Sequence, residues 1–324
     1  MGHPTHLIFM GVLFCTAAGG LESPANLSDA GIDKLASLIE QACPATAGDV
    51  SAGRDQCAVS LGNITELSQA SLNDTVSWGG HIENDYVPAH NALTLLNALV
   101  WRKIYLSLFE FSGHHRLEIL PDDSRLLHLD ARLRHLPYSE YPYPFWHSEN
   151  KWHAYQQTVQ ISLLFKGGKL LAGYRETSRG LPTTDHEWTG FWSTDDEGKE
   201  PPRTALFSYL LSADNPNEPR LTATYKAMAM EARKYECAEC HTPANPGNMN
   251  PLLILNLPGQ ALSGRHEIVY QIRNNLMPPG QGISDEAARQ RLLLLARDFE
   301  SVGDKALAYE QLHVVKPHAS GAGH

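Results

Sequence analysis

The sequence predicts an α+β fold in two parts: an N-terminal domain of helices followed by antiparallel strands, and a compact all-α domain. Apolar residues recur at helical spacing early in the chain, β-branched runs occupy its middle, and helix formers return after a Pro-rich break at 214–219. The predicted parts are a signal peptide at 1–20, a helical then β-rich domain at 21–215, an all-α domain at 220–302, and a tail at 303–324 with a disordered end.

Three helices are expected before the strands. Ser28 and Asp29 precede apolar residues at helical spacing, and a second periodic run extends from 57 to 67. The third run, 88–111, begins at a proline, ends before Gly113 and is apolar nearly all round. This pattern predicts a long, buried helix.

Strands are expected between 115 and 215. The run 158–165 is β-branched and apolar, Gly167-Gly168 follows as a tight-turn signal, and 169–174 returns, which together predict a hairpin. The segments 191–192 and 204–211 are further predicted strands. Aromatic residues are frequent throughout this region, mostly for packing.

Three helices are expected in the last third. Residues 221–236 are strong helix formers and lead directly into a cysteine motif. The segment 264–276 predicts a second helix, ended by Pro278-Pro279-Gly280. A third helix begins near Ser284 and carries an apolar stripe as far as Phe299.

The most informative motif is Cys-Ala-Glu-Cys-His at 237–241, the attachment signature of a c-type haem. Two thiols separated by two residues can add to the two vinyl groups on one edge of a porphyrin, and His241 then provides a proximal imidazole ligand. Zinc and a redox dithiol are the alternatives. A zinc site needs further Cys or His ligands at matching spacing, and a redox dithiol of the thioredoxin kind needs a preceding strand.

The last third resembles a class I cytochrome c domain over 220–302. The features that carry the resemblance are the helix entering Cys237, the CAECH motif, the Met277-Pro278-Pro279 segment and the amphipathic C-terminal helix. In that family a Met from a loop between these helices binds the open face of the iron, and Met277 matches it. The resemblance implies one haem c per chain, held by Cys237, Cys240, His241 and Met277, and a role in electron transfer.

This chain departs from the family pattern in two places. The interval from His241 to Met277 is short, and Arg233 stands where the first helix of the family usually carries an aromatic residue. His266 and Met249 are the rival sixth ligands, although Met249 follows His241 too closely to reach round the ring. Asn274 or Asn275 is expected to tune the site by hydrogen bonding to the sulfur or a propionate, and Pro251 or Pro246 to offer a carbonyl to His241.

An apolar run at 7–18 followed by small residues predicts a signal peptide, and hence a periplasmic location, with an uncleaved anchor as the alternative. The run is short for a membrane span, and no stable span is expected in the mature chain. Export makes a disulfide between Cys43 and Cys57 the expected state, with two thiols as the alternative.

Composition narrows the range of partners. The net charge of −10 argues against nucleic acid, because nothing neutralises phosphates in bulk. No nucleotide-binding or hydrolase motif is present in the sequence, and no residue is assigned a catalytic role. Clusters such as His114-His115, and His147 with His153, lack metal-ligand spacing.

Three functional hypotheses follow. The first is a periplasmic electron carrier, rather than an enzyme, that exchanges electrons with an unidentified redox partner protein. The second is a haem-dependent oxidoreductase, or a small-molecule or gas sensor, that uses the aromatic-rich segment 80–215. The third is a binding module whose haem is mainly structural.

Overall fold

The structure is a computed structural model. It describes residues 26–45, 50–71, 74–79, 94–134, 149–178, 180–183, 206–207, 210–242 and 253–314. The predicted signal peptide, the strand at 191–192, the end of the tail, and Met249, Pro246 and Pro251 lie outside these residues. The domain boundaries stay predictions.

Ten α-helices and six strands are found within the described residues. The helices are α1 Asp29–Ala42, α2 Val50–Gly62, α3 Thr65–Ala70, α4 Ala98–Val100, α5 Glu149–Gln156, α6 Glu218–Ala232, α7 Cys237–His241, α8 Pro258–Ser263, α9 Arg265–Arg273 and α10 Glu286–Val314. The strands are β1 Thr75–Trp78, β2 Thr94–Asn97, β3 Phe109–Ile119, β4 Arg125–Leu133, β5 Thr158–Lys166 and β6 Lys169–Thr177.

The strands form one mixed sheet in the order β2-β1-β6-β5-β4-β3. The last four strands make an antiparallel meander, and the predicted hairpin at Gly167-Gly168 is confirmed, with φ of +55° and +72° at the two glycines. The expectation of a purely antiparallel sheet is wrong, because β1 pairs in parallel with β6. The strand precedes the meander in sequence and adds to its open edge, running in the direction of β6.

The segment predicted as a helix at 88–111 has a different structure in its described part. It begins as β2, becomes helical at α4, and continues through a π-helical turn Trp101–Tyr105 and a 3₁₀ turn Leu106–Leu108 into β3. An apolar run without clear periodicity does not distinguish strand from helix. Asn97 sets the transition, because its side chain accepts hydrogen bonds from the N–H groups of Leu99 and Val100.

The N-terminal helices lie against the sheet and are tied to it and to each other. The structure has a disulfide between Cys43, at the end of α1, and Cys57 in α2, with an S–S distance of 2.07 Å. His115 on β3 contacts carboxylate oxygens of Asp33 and Glu40 on α1, each at 3.0 Å. Partial burial lowers the pKa of His115, but the hydrogen bonds with the two carboxylates outweigh it, so the net pKa is raised.

The predicted compact all-α cytochrome c-like domain is not found. The helices after residue 218 share one hydrophobic core with the sheet, and α8 packs against β2 and α4. Polar contacts also join the two parts: Ser263 accepts the Asn97 N–H at 2.6 Å, and Lys103 Nζ donates to the Leu210 carbonyl at 2.6 Å. The prediction failed because helical periodicity shows that a face is apolar, not which element covers it.

Two further boundaries differ from the prediction. Within the segment expected as a strand at 204–211, the described residues lie in turns, with Phe207 packed edge-on against Tyr225 at 5.9 Å. Helix α10 does not end near Phe299 but continues to Val314, because Val302, Ala306 and Leu307 extend its buried face. In the described part of the chain, no helix is long and apolar enough to cross a membrane.

Candidate functional site

The cysteine motif forms a short helix of its own. Helix α6 ends at Ala232, the chain turns over 233–236, and α7 spans Cys237–His241. Residues three and four apart share one face of a helix, so α7 places Cys237, Cys240 and His241 on the same side. All three residues line one cavity.

Cys237 and Cys240 are half-buried and are not joined in a disulfide. Burial raises the pKa of the Cys237 thiol above its ordinary range, and the nearby Cys240 and Glu236 raise it further. Cys237 is therefore a protonated thiol at neutral pH rather than a reactive thiolate.

The cavity beside α7 has a mostly apolar lining. Its enclosed space is about 160 Å³, and the space that continues through the open mouth into solvent brings the total to about 1000 Å³. Its polar lining consists of Glu236, Glu267 and Gln271 with the motif residues. Its apolar lining is Met228, Ala232, Ile254, Leu255, Ile268, Ile272, Met277, Pro278, Pro279, Ile283 and Leu292, with Gly264. An open cavity with such a lining suits a mostly apolar ligand that extends through its mouth.

Met277 lines the same cavity from the loop between α9 and α10. Asn275 closes this loop, because its Oδ1 accepts the Ile283 N–H at 2.7 Å. Gly282 has a φ of +66°, and a Cβ there would lie 2.6 Å from Asn275 Cγ, so only glycine fits beside the closing amide. Asn275 therefore has a structural role in this loop, and Asn274 Nδ2 donates to the Tyr270 carbonyl at 2.8 Å; a contact of either amide with a ligand stays a prediction.

The rival sixth ligand His266 points elsewhere. Its ring contacts Glu300 at 2.8 Å and Asp304 at 3.5 Å, its side chain is 60% exposed, and it does not line the cavity. Sequence reasoning missed Met228, a second thioether in the cavity wall. The available signal was its position on the helix leading to the motif, four residues before Ala232, because residues four apart lie on the same face of a helix.

The segment 253–257 contributes Ile254 and Leu255 to the cavity wall, and hydrogen bonds hold it in place. Leu255 N donates to the His241 carbonyl at 3.3 Å. Tyr225 Oη donates to the Ile254 carbonyl at 3.0 Å, and Arg233 Nη2 donates to the Leu255 carbonyl at 3.1 Å. Arg233, which stands where the family has an aromatic residue, thus anchors this wall.

The helix crossing itself uses a different aromatic residue. Tyr225 in α6 meets Phe299 in α10, with ring centroids 5.8 Å apart. The aromatic contact between these two helices therefore lies two turns before Arg233.

A polar cluster on the sheet was not anticipated from the sequence. His128 on β4 contacts Ser162 Oγ at 2.9 Å through Nδ1 and Glu118 Oε2 at 3.1 Å through Nε2, an order of groups that resembles a hydrolytic triad. Ser162 has no exposed surface and also donates to Glu176 Oε1 at 2.7 Å. A hydroxyl that no substrate can reach is structural, so the cluster stabilises the sheet.

The residues around the cavity fit a covalently bound haem. Two thiols and an imidazole share one side, a thioether lies in the wall, and the lining is apolar. No group of three or more His, Cys, Asp or Glu able to hold a bare metal ion occurs within the described residues. Haem does not need such a group, since the porphyrin supplies the equatorial ligands.

No protein-family model, curated protein or solved structure matches this chain. The cytochrome c resemblance therefore depends on the motif residues and on the cavity that they line.

Proposed function

We propose that the protein binds one haem c through thioether bonds to Cys237 and Cys240, that His241 and Met277 would be the protein ligands of its iron, and that it carries single electrons. The observation that supports the proposal is that these four residues line one apolar cavity. When bound, the haem supplies one-electron exchange between ferrous and ferric iron.

The chain contributes in three ways. The apolar wall would limit contact of the haem with water and would disfavour the more highly charged ferric form. The Met277 thioether, a soft ligand, would favour ferrous iron and so would raise the reduction potential. The loop closed by Asn275 holds Met277 in a defined position, so less conformational entropy is lost when the sulfur binds.

The proposed location is the periplasm, and the proposed partner is another redox protein. The disulfide between Cys43 and Cys57 is compatible with an oxidising compartment. The acidic net charge of −10 suits encounter with a partner of opposite charge and does not suit nucleic acid.

The first test is covalent attachment. The full chain is produced with a signal peptide in a host that matures c-type cytochromes, and the purified protein is denatured and stained for haem. We expect one haem per chain, and its loss in Cys237→Ala/Cys240→Ala. Zinc in place of iron, or no covalent haem in the wild-type chain, would exclude the proposal.

The second test is the sixth ligand. Absorption spectra are recorded for the oxidised protein, the reduced protein and the reduced protein under carbon monoxide. We expect carbon monoxide to leave the wild type unchanged and to bind Met277→Ala. Met228→Leu is the matched control, since it alters the other thioether in the cavity, and should behave as the wild type. Carbon monoxide binding by the wild type would instead support the catalytic or sensory hypothesis.

A further inference from the structure

We propose that Tyr105 and Gln260 are positioning residues for the haem site, and that the sheet layer therefore helps to set the properties of the bound haem. The inference rests on the proposed function and assigns a role to the N-terminal part of the chain. Neither residue lines the cavity, so neither is expected to touch the haem.

The first link joins the two parts of the chain. Gln260 Nε2, in α8, donates to Tyr105 Oη at 3.0 Å, and the two residues are 155 positions apart in sequence. Both side chains are buried, each with 4% of its surface exposed. A buried amide that loses such a partner keeps the cost of its desolvation, so this bond is expected to be well occupied.

The second link joins Gln260 to the cavity wall. Leu253 N donates to Gln260 Oε1 at 2.6 Å, so the two ends of one amide connect Tyr105 with the start of the 253–257 segment. Glutamine suits this position because its side chain is a donor and an acceptor at once. A hydrocarbon side chain of similar length could fill the space but make neither bond.

The third link reaches the motif. Two residues beyond Leu253, Leu255 donates its N–H to the carbonyl of His241, and Ile254 and Leu255 both line the cavity. A shift of Leu253 therefore moves the wall that faces the haem and the group that holds the end of α7. Outer contacts of this kind orient metal ligands and tune the metal.

Tyr105, where this series of hydrogen bonds begins, is held by packing against the sheet. Tyr105 ends the π-helical turn Trp101–Tyr105, and its ring packs edge-on against Trp78 of β1 at 6.5 Å. Trp78 in turn lies over Gly173 of β6, where an added Cβ would meet its ring at 2.8 Å. The sheet thus fixes the Tyr105 hydroxyl, and Gln260 transmits that position to the cavity.

The experiment measures the reduction potential of the holoprotein and the hyperfine-shifted proton NMR signals of the oxidised form. The variants are Tyr105→Phe, Gln260→Met and the double variant. Tyr174→Phe is the matched control, because Tyr174 is equally buried but its hydroxyl makes no hydrogen bond in the described part of the chain. Haem content is measured first, so that failure of the proposed function is seen separately.

We expect Tyr105→Phe to change the ferric-to-ferrous ratio at fixed potential by about threefold, equivalent to about 28 mV, and to shift the NMR signals. Tyr174→Phe should change neither. The double variant should match Gln260→Met alone, because Tyr105 acts through Gln260. Additive shifts, or a Tyr105→Phe protein with full haem content that equals the control, would overturn the inference. If Gln260→Met does not fold, the difference in reduction potential between Tyr105→Phe and Tyr174→Phe still tests the inference.

Discussion

Replacing Gly282 by alanine tests whether the closed loop holds Met277. Gly282 and Gly280 both have positive φ, +66° and +78°, so alanine strains the backbone at either position. The surroundings differ. An added Cβ at 282 would lie 2.6 Å from Asn275 Cγ, whereas nothing lies within 4 Å of a Cβ at 280. Gly280→Ala is therefore the control that carries the strain without the clash.

The difference between the two variants can be calculated. In Gly282→Ala, Asn275 must move and its bond to the Ile283 N–H, 2.7 Å long, is lost. A lost hydrogen bond with a partly buried donor left unpaired costs about 1–2 kcal/mol. If the state with Met277 bound to the iron loses that much stability, carbon monoxide should displace the Met277 sulfur with an affinity roughly 5- to 30-fold higher.

The assay is titration of the reduced holoprotein with carbon monoxide, followed by absorption. We expect Gly282→Ala to bind carbon monoxide roughly 5- to 30-fold more tightly than Gly280→Ala does. Asn275→Ala should bind it about as tightly as Gly282→Ala. Equal affinities for the two glycine variants would refute the reasoning, because the Asn275 contact would then have no part in holding the ligand.

Three other predictions concern charge and cross-linking. Removing the disulfide in Cys43→Ala/Cys57→Ala should lower the free energy of unfolding by about 3 kcal/mol for a sequence separation of 14, measured in urea. His115 has a raised pKa in the folded state, so its stabilisation is complete below about pH 6.5 and is lost as the pH rises through the folded-state value. His115→Gln should thus cost about 0.5–1 kcal/mol at pH 5.5 and little at pH 9; a constant difference would contradict this. Glu267→Gln, which removes a negative charge from the cavity lining, should raise the haem potential by up to roughly 40 mV at low salt, and a fall would contradict it.

Local features of the fold could be predicted from the sequence. The hairpin at Gly167-Gly168 follows from two apolar runs and a turn that needs positive φ, and helices α6, α9 and α10 follow from periodicity and their proline or acidic ends. Residue type and spacing in the CAECH motif, with Met277, predict a haem site; the structure brings these residues to one cavity, and the haem itself stays a prediction.

The features that escaped prediction are those decided between distant residues. The parallel pairing of β1 with β6 depends on which sheet edge is open, not on the four residues of β1. The shared core and the Tyr105–Gln260 bond depend on partners 155 positions apart, and neither residue carries a local pattern that names the other. The apolar run around Trp101 fits strand and helix equally. Its residues are buried on all sides, and the tertiary packing rather than the local pattern determines where strand changes to helix.

The contacts that join the sheet to the cavity wall have a consequence for folding order. They link residues 155 and 166 positions apart, and loop closure over such separations is slow. Cys237 and Cys240 are close in sequence and need no distant contact to lie near each other. If the protein carries the proposed haem, we therefore expect the newly made chain to present both thiols before the wall closes over them, which leaves time for covalent attachment. The late contacts would then seal a cofactor that is already in place.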